Sequence, residues 1–238
     1  EYRGLIDEIV TSAKLPGREA EGLCRTSLAN YFAAALLMPY GRFLKDAEQS
    51  RYDIDLLSYR FATSFEQTAH RLTTLQKPDA RGIPFFFIRI DAAGNVSKRL
   101  DGAGFPFASY GGACPLWNVH DVFRTPGEIR TQWIELPDGE RYFSIARTVR
   151  SGGGSWDAPV TTRAIALGCD SSHAHKLVYM QGEAPPDPER ATPIGVTCRL
   201  CHRPACTARA APPIGRELLP DDYRRSLAPY GFSQESRL

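Results

Sequence analysis

The chain has 238 residues, of which 29 are basic and 27 acidic, for a net charge of +2. A net charge this small gives no argument for nucleic-acid binding by these residues, and no apolar run reaches the roughly 18 residues of a membrane span. With 42% hydrophobic and 24% charged residues, the composition is that of an ordinary globular protein of one large or two small domains. The chain opens on Glu1 with no charged-then-apolar leader, so it is expected to be part of a longer, cytoplasmic protein.

The first third is predicted to be helical. Leu23, Ser27, Leu28, Tyr31, Phe32, Ala35 and Leu36 recur at helical spacing up to Met38-Pro39, where proline blocks the α conformation of its predecessor. Cys24 is expected in the core of that face. A second helix is predicted around Phe43 to Gln49 and a third over Ile54, Leu57, Ser58 and Phe61. Ser64-Phe65-Glu66-Gln67 has the form of a capping box, which opens a fourth helix running to about Gln76. The last two helices mimic a helix-turn-helix, but only Arg60, His70 and Arg71 would be available to meet phosphate there.

The character changes at Ile83. Pro84 to Ile90 is aromatic and branched, as strands are, and Val96 to Leu100 returns as a hairpin partner after Ala92-Ala93-Gly94-Asn95. A second hairpin turns at Pro137-Asp138-Gly139, between Thr131–Leu136 and Arg141–Ala146. Ser151 to Ser155 reads as a long tip, and Arg163–Gly168 and Lys176–Met180 as further strands. Glu183 to Arg190 is an exposed connection, and a short basic helix is expected near Arg224. The predicted fold is α+β: a helical segment over 1–80, an antiparallel-sheet sensor domain over 81–182 and a Cys-rich tail over 183–238.

The six cysteines are Cys24, Cys114, Cys169, Cys198, Cys201 and Cys206. Clustered cysteines in an intracellular chain more often bind metal than cross-link. Cys198 and Cys201 form a C-x2-C pair, and Cys206 follows after four residues. Zinc and iron–sulfur clusters both want a fourth ligand. Cys169, at a strand end, is the first candidate, and Cys114, in Gly112-Ala113-Cys114-Pro115, is the alternative. A zinc ribbon usually shows two C-x2-C knuckles, so the uneven spacing leans toward a cluster with zinc kept open. Arg199, Arg203 and Arg209 are placed to offset the charge of four thiolates.

Four stretches together resemble the short-chain fatty-acyl transcriptional regulators, and most closely their propionate-catabolism members. These are Ser27 to Pro39, His70 to Gln76, Gly112 to His120, and Cys198 through Cys206. The resemblance covers nearly the whole chain. It implies a DNA-binding helix-turn-helix outside this sequence and a helical region similar to the ImmA/IrrE metallopeptidases. It also implies a sensor domain that binds coenzyme A or short-chain acyl-CoA, with a [4Fe-4S] cluster; a homodimer is expected because bacterial regulators commonly read paired DNA half-sites. None of the five histidines (70, 120, 173, 175 and 202) stands in the H-E-x-x-H motif of those peptidases, so no enzyme is expected.

Acyl-CoA carries phosphates, which want Lys or Arg, and an arm suited to an apolar pocket. Lys98, Arg99, Arg81 and Arg89 are the candidate basic group. Phe86, Phe107 and Tyr40, with Phe105 and Tyr110, are candidate walls. Competing readings are a thioester hydrolase using Cys114 with His120, a degenerate peptidase, and a purely redox-sensing cluster domain.

Overall fold

The computed structural model describes residues 2–109, 111–181, 187–219, 223, 228 and 231–233. Tyr110 and the helix expected near Arg224 lie outside the described residues. The chain divides into two compact units, 1–71 and 72–238.

The first unit holds five helices: α1 (Tyr2–Ser12), α2 (Arg18–Leu37), α3 (Tyr40–Gln49), α4 (Ile54–Phe61) and α5 (Phe65–Leu72). The leading helix, α1, was not expected. It lies along α2, with Tyr2 stacked on Phe32 at 4.8 Å and Arg25 paired with Asp7. Phe43, Ala47, Ile54, Leu57 and Met38 are buried and form the core. The apolar face expected on α2 is not part of it. No residue of α2 is buried, Leu23 is 72% exposed, and Cys24 is half-buried rather than a core residue.

The capping box forms as expected. Ser64 N–H donates to Gln67 Oε1 at 2.9 Å, and Gln67 N–H donates to Ser64 Oγ at 3.2 Å. The helix stops at Leu72, short of Gln76. There Leu75 N–H turns back to the Leu72 carbonyl, and Gly82 N–H closes the following loop on the Leu75 carbonyl. The resemblance of α4 and α5 to a DNA-reading pair ends at their side chains. Arg71 is buried, donates from Nε to the Met38 carbonyl at 3.1 Å and lies over the rings of Tyr31 and Tyr40. Arg60 pairs with Asp46.

The second unit is built on a six-stranded sheet. Its strands are β1 (Phe85–Ile90), β2 (Val96–Leu100), β3 (Arg130–Glu135), β4 (Arg141–Gly152), β5 (Val160–Asp170) and β6 (Thr192–Pro193). Their order is β2-β1-β5-β4-β3-β6. All neighbours are antiparallel except β6, which runs parallel to β3 and carries the start of the tail onto the sheet edge. The segment expected as a strand over Lys176–Met180 is instead two 3₁₀ turns, Ser171–Lys176 and Val178–Met180. Asp170 ends β5 by accepting Ser172 N–H at 2.8 Å, and this side-chain cap starts the turn. A one-turn helix, α6 (Asn118–Asp121), follows Trp117. Asp187 to Arg190 forms a short exposed turn, and β7 (Leu218–Leu219) pairs with β8 (Gly231–Phe232).

Alternation along the strands gives the sheet two faces. Phe86, Ile88 and Ile90 of β1 share one face with Gly168, Ala166 and Ala164 of β5 and with Tyr142, Ser144 and Ala146 of β4. The small side chains of β5 leave room on that face for Phe105, Trp117, Val119, Cys114 and Ile194, all buried in one core. Phe85, Cys169 and Phe143 are register partners on the other face.

Candidate functional site

A buried polar network fixes the loop that carries Cys114. Trp117 Nε1 donates to Ser144 Oγ at 2.8 Å, and Ser144 donates on to Asn118 Oδ1 at 3.0 Å. Gln132 of β3 accepts Asn118 N–H at 2.7 Å. Its Nε2 donates to the Leu116 carbonyl at 2.9 Å and to Thr192 Oγ1 at 3.0 Å. One side chain thus ties the segment just after Cys114 to the segment that leads to Cys198. The tail is held again by Ile194 N–H on the Glu135 carbonyl at 2.9 Å, and by Arg203 Nη2 on the same carbonyl at 3.0 Å.

The consequence is a small cavity lined by Cys114, Cys198, Cys201 and Cys206, with Gly195, Thr197, Arg203 and Arg209 completing its wall. Cys169 is not there. It projects from the opposite face of the sheet, fully buried, with burial pushing its thiol up to about 12. The expectation that Cys169 stands beside the three tail cysteines is not met. Of the two candidates for the fourth position, Cys114 is the one brought to Cys198, Cys201 and Cys206. The deciding feature is strand register, because residue 169 faces oppositely to its neighbour Gly168.

The cavity wall offers hydrogen-bond donors to the sulfurs. Backbone N–H groups of Gly195 and Leu116 point at the Cys114 sulfur, against the burial that raises its thiol. Ala210 N–H approaches Cys198 Sγ at 3.4 Å. Such donors favour the thiolate over the thiol. A Cβ at Gly195 would stand 2.7 Å from Cys201 Cβ and 2.8 Å from its sulfur, so only glycine lets the chain pass there. Among the described residues, no three His, Cys, Asp or Glu side chains converge as they would on a single ion.

A second, larger cavity of about 740 Å³ adjoins it. Its wall is mostly apolar, from Ala108, Ala113, Pro115, Leu200 and Ile214, with Arg199 contributing the charge. Thr197 and Cys198 line both cavities. Of the residues expected to hold acyl-CoA, Arg99 and Phe107 line a narrower recess that shares Ala108, Gly111, Gly112 and Ala113 with the large cavity. Arg99 is held there by the Ala108 carbonyl.

Phe86 is a core residue, packed against Phe105, Phe107, Trp117 and Tyr142. Lys98 and Arg89 pair across β1 and β2 on the opposite face from Arg99, so the basic group is split. Arg81 is exposed ahead of β1. Tyr40 belongs to the helical unit. His120 does not pair with Cys114: its Nε2 is buried without a partner, and its ring lies against Gly94. Gln132, Asn118 and Gly195 were missed in the sequence, since nothing local marks a polar strand residue or a loop glycine as organising a distant cysteine.

The sheet unit thus carries a thiol-lined cavity and, sharing Thr197 and Cys198 with it, a larger and mostly apolar one. The chain belongs to the short-chain fatty acyl coenzyme A regulators: the C-terminal model of that family matches residues 74–230, and an IrrE N-terminal-like domain model matches residues 5–73. Among curated relatives, the Mycobacterium tuberculosis HTH-type transcriptional regulator RamB is 48% identical over 236 residues, covering 98% of this chain and 50% of that protein. The HTH-type transcriptional regulator PrpR of the same organism is 47% identical over 232 residues, covering 98% and 48%. The propionyl-CoA carboxylase regulator of Cereibacter sphaeroides is 47% identical over 227 residues, covering 95% and 49%. The chain thus spans about half the length of these relatives. A solved Mycobacterium tuberculosis transcriptional regulator matches with a TM-score of 0.90 at 47% identity, over 97% of this chain and 70% of that one. No helix among the described residues is long and apolar enough to cross a membrane.

Proposed function

We propose that this chain is the sensing part of a bacterial transcription regulator that binds coenzyme A or a short-chain acyl-CoA of the propionyl type. It carries a [4Fe-4S] cluster on Cys114, Cys198, Cys201 and Cys206. Control of propionate and short-chain fatty acid catabolism genes runs through a helix-turn-helix in the half of such regulators that this chain does not span, acting as a cytoplasmic homodimer. The observation that carries the reading is the shared wall: Thr197 and Cys198 line both the large apolar cavity and the thiol cavity. A ligand acts on a regulator only through differential affinity for two states, and an acyl-pantetheine arm against the cysteine loop has the means to favour one of them. Four thiols set around a cavity support a cluster over zinc, whose bonds of about 2.3 Å draw its ligands to one point.

The test is calorimetric titration of the purified chain with CoA, acetyl-CoA and propionyl-CoA, repeated on Ala211→Trp, which fills the large cavity. The reading predicts saturable binding that weakens at least tenfold in the variant. No binding to the parent chain, or equal binding to both, contradicts it.

A further inference from the structure

Three arginines were placed by sequence near the cysteines, and the structure separates them. Arg199 is exposed. Arg203 faces the Glu135 carboxylate at 3.7 Å. Arg209 is only 4% exposed and lines the thiol cavity, and no carboxylate pairs with it among the described residues. Its Nη1 donates to the carbonyls of Cys198 at 3.4 Å, Cys201 at 3.3 Å and Ala211 at 3.3 Å, and its Nη2 donates to the Arg203 carbonyl. The Phe232 ring covers the guanidinium at 4.6 Å from centroid to Cζ. Its Nε is buried with no partner.

A buried charge is costly unless an opposite charge meets it. Carbonyl dipoles solvate Arg209 in part, but they supply no net negative charge. Four thiols in the neutral form supply none either. The same four sulfurs as thiolates on an iron–sulfur core or on zinc leave a net negative centre in the cavity that Arg209 walls.

We infer that Arg209 is the built-in counter-cation of the thiolate centre, positioning the cysteine loop through its carbonyls while its charge stabilises the bound metal. This rests on the metal-centre reading above. It carries two consequences that a purely structural arginine would not have. Removing the metal leaves a buried cation uncompensated, so metal loss destabilises the parent chain more than a variant without that charge. Removing the charge from beside a redox centre disfavours added electrons, so reduction becomes harder.

The experiment uses the whole chain, purified without oxygen, as parent, Arg209→Lys and Arg209→Met. Metal and sulfide content of the parent is read first. A parent that holds neither iron nor zinc overturns the metal-centre reading, and this inference with it. With metal present, Arg209→Met is expected to lose it to a chelator at least tenfold faster. For a cluster, its reduction equilibrium shifts at least tenfold toward the oxidised form, about 59 mV for one electron. The melting temperature of Arg209→Met falls less than the parent's on chelation. Arg209→Lys, which keeps the charge but not the planar fork, lies between the two. A metal-loaded parent whose Lys and Met variants behave alike, or whose Met variant keeps parental retention and chelation response, overturns the counter-cation role and leaves the metal centre standing.

Discussion

Gly168 of β5 lies directly beneath the ring of Phe86 of β1: a Cβ there would stand 2.1 Å from Phe86 Cζ. Phe86 is fully buried and packs against Phe105 and Trp117, so the ring has nowhere to retreat. Gly168→Ala is therefore expected to cost about 1–3 kcal/mol as overpacking. Denaturant unfolding monitored by tryptophan fluorescence measures it, and a change within about 0.5 kcal/mol of the parent would show that the ring is not confined.

Gln132 is expected to matter more than its place on a strand suggests. Gln132→Ala removes the bonds to the Leu116 carbonyl and Thr192 Oγ1 and orphans Asn118 N–H. These bonds are part-buried, so leaving their partners unpaired is expected to cost about 1 kcal/mol each, the low end for an unsatisfied group. The prediction is lowered stability together with faster metal loss, because Cys114 and Cys198 are no longer tied to one point. Parental metal retention in a destabilised Gln132→Ala would separate the two effects and contradict the link.

Cys169 is predicted to be inert. It is completely buried, and burial holds its thiol near 12, so almost no thiolate exists at pH 8. A thiol reagent added to the folded chain should leave Cys169 unmodified and label it only on unfolding, as peptide mass analysis would show. Rapid labelling of Cys169 in the native state contradicts its placement.

His120 gives the chain an acid-sensitive element. Burial lowers its pKa below the ordinary 6.5, against a bond to the Ala113 backbone that raises it. The folded state thus disfavours the imidazolium, and the unfolded state binds the proton first. Stability from this group is complete above pH 6.5 and is lost as pH falls through the lower folded value. The slope is at most about 1.4 kcal/mol per pH unit for one proton. Unfolding measured from pH 7.5 to 5 on the parent and on His120→Gln should show a shallower decline in the variant. Identical slopes would exclude His120 as a source.

Much of the fold was legible because its signals are local. The Ser64–Gln67 capping box and the turn at Gly139, whose φ of 91° suits glycine, are written in a few adjacent residues. The pairing of Phe85–Ile90 with Val96–Leu100 followed from one apolar run and a short turn that sends the chain back beside it. The errors came where distant partners decide. Val178–Met180 has strand composition, but Asp170 caps a turn before a strand can start. Cys169 ranks ahead of Cys114 as a fourth ligand by sequence, yet the register of β5 against β1 and β4 turns Cys169 away, and Cys114 is the one that lines the cavity with the tail cysteines. The split of Lys98 from Arg99 has the same origin, since adjacent strand residues face opposite ways.

The most direct test of the central claim is the metal and acid-labile sulfide content of the chain purified without oxygen, beside Cys114→Ser and Cys169→Ser. The parent is expected to be brown, with about four irons and four sulfides per chain, the content of a [4Fe-4S] cluster. The cluster should be lost in Cys114→Ser and kept in Cys169→Ser. A colourless parent without iron, or a cluster that survives Cys114→Ser and disappears in Cys169→Ser, would contradict it.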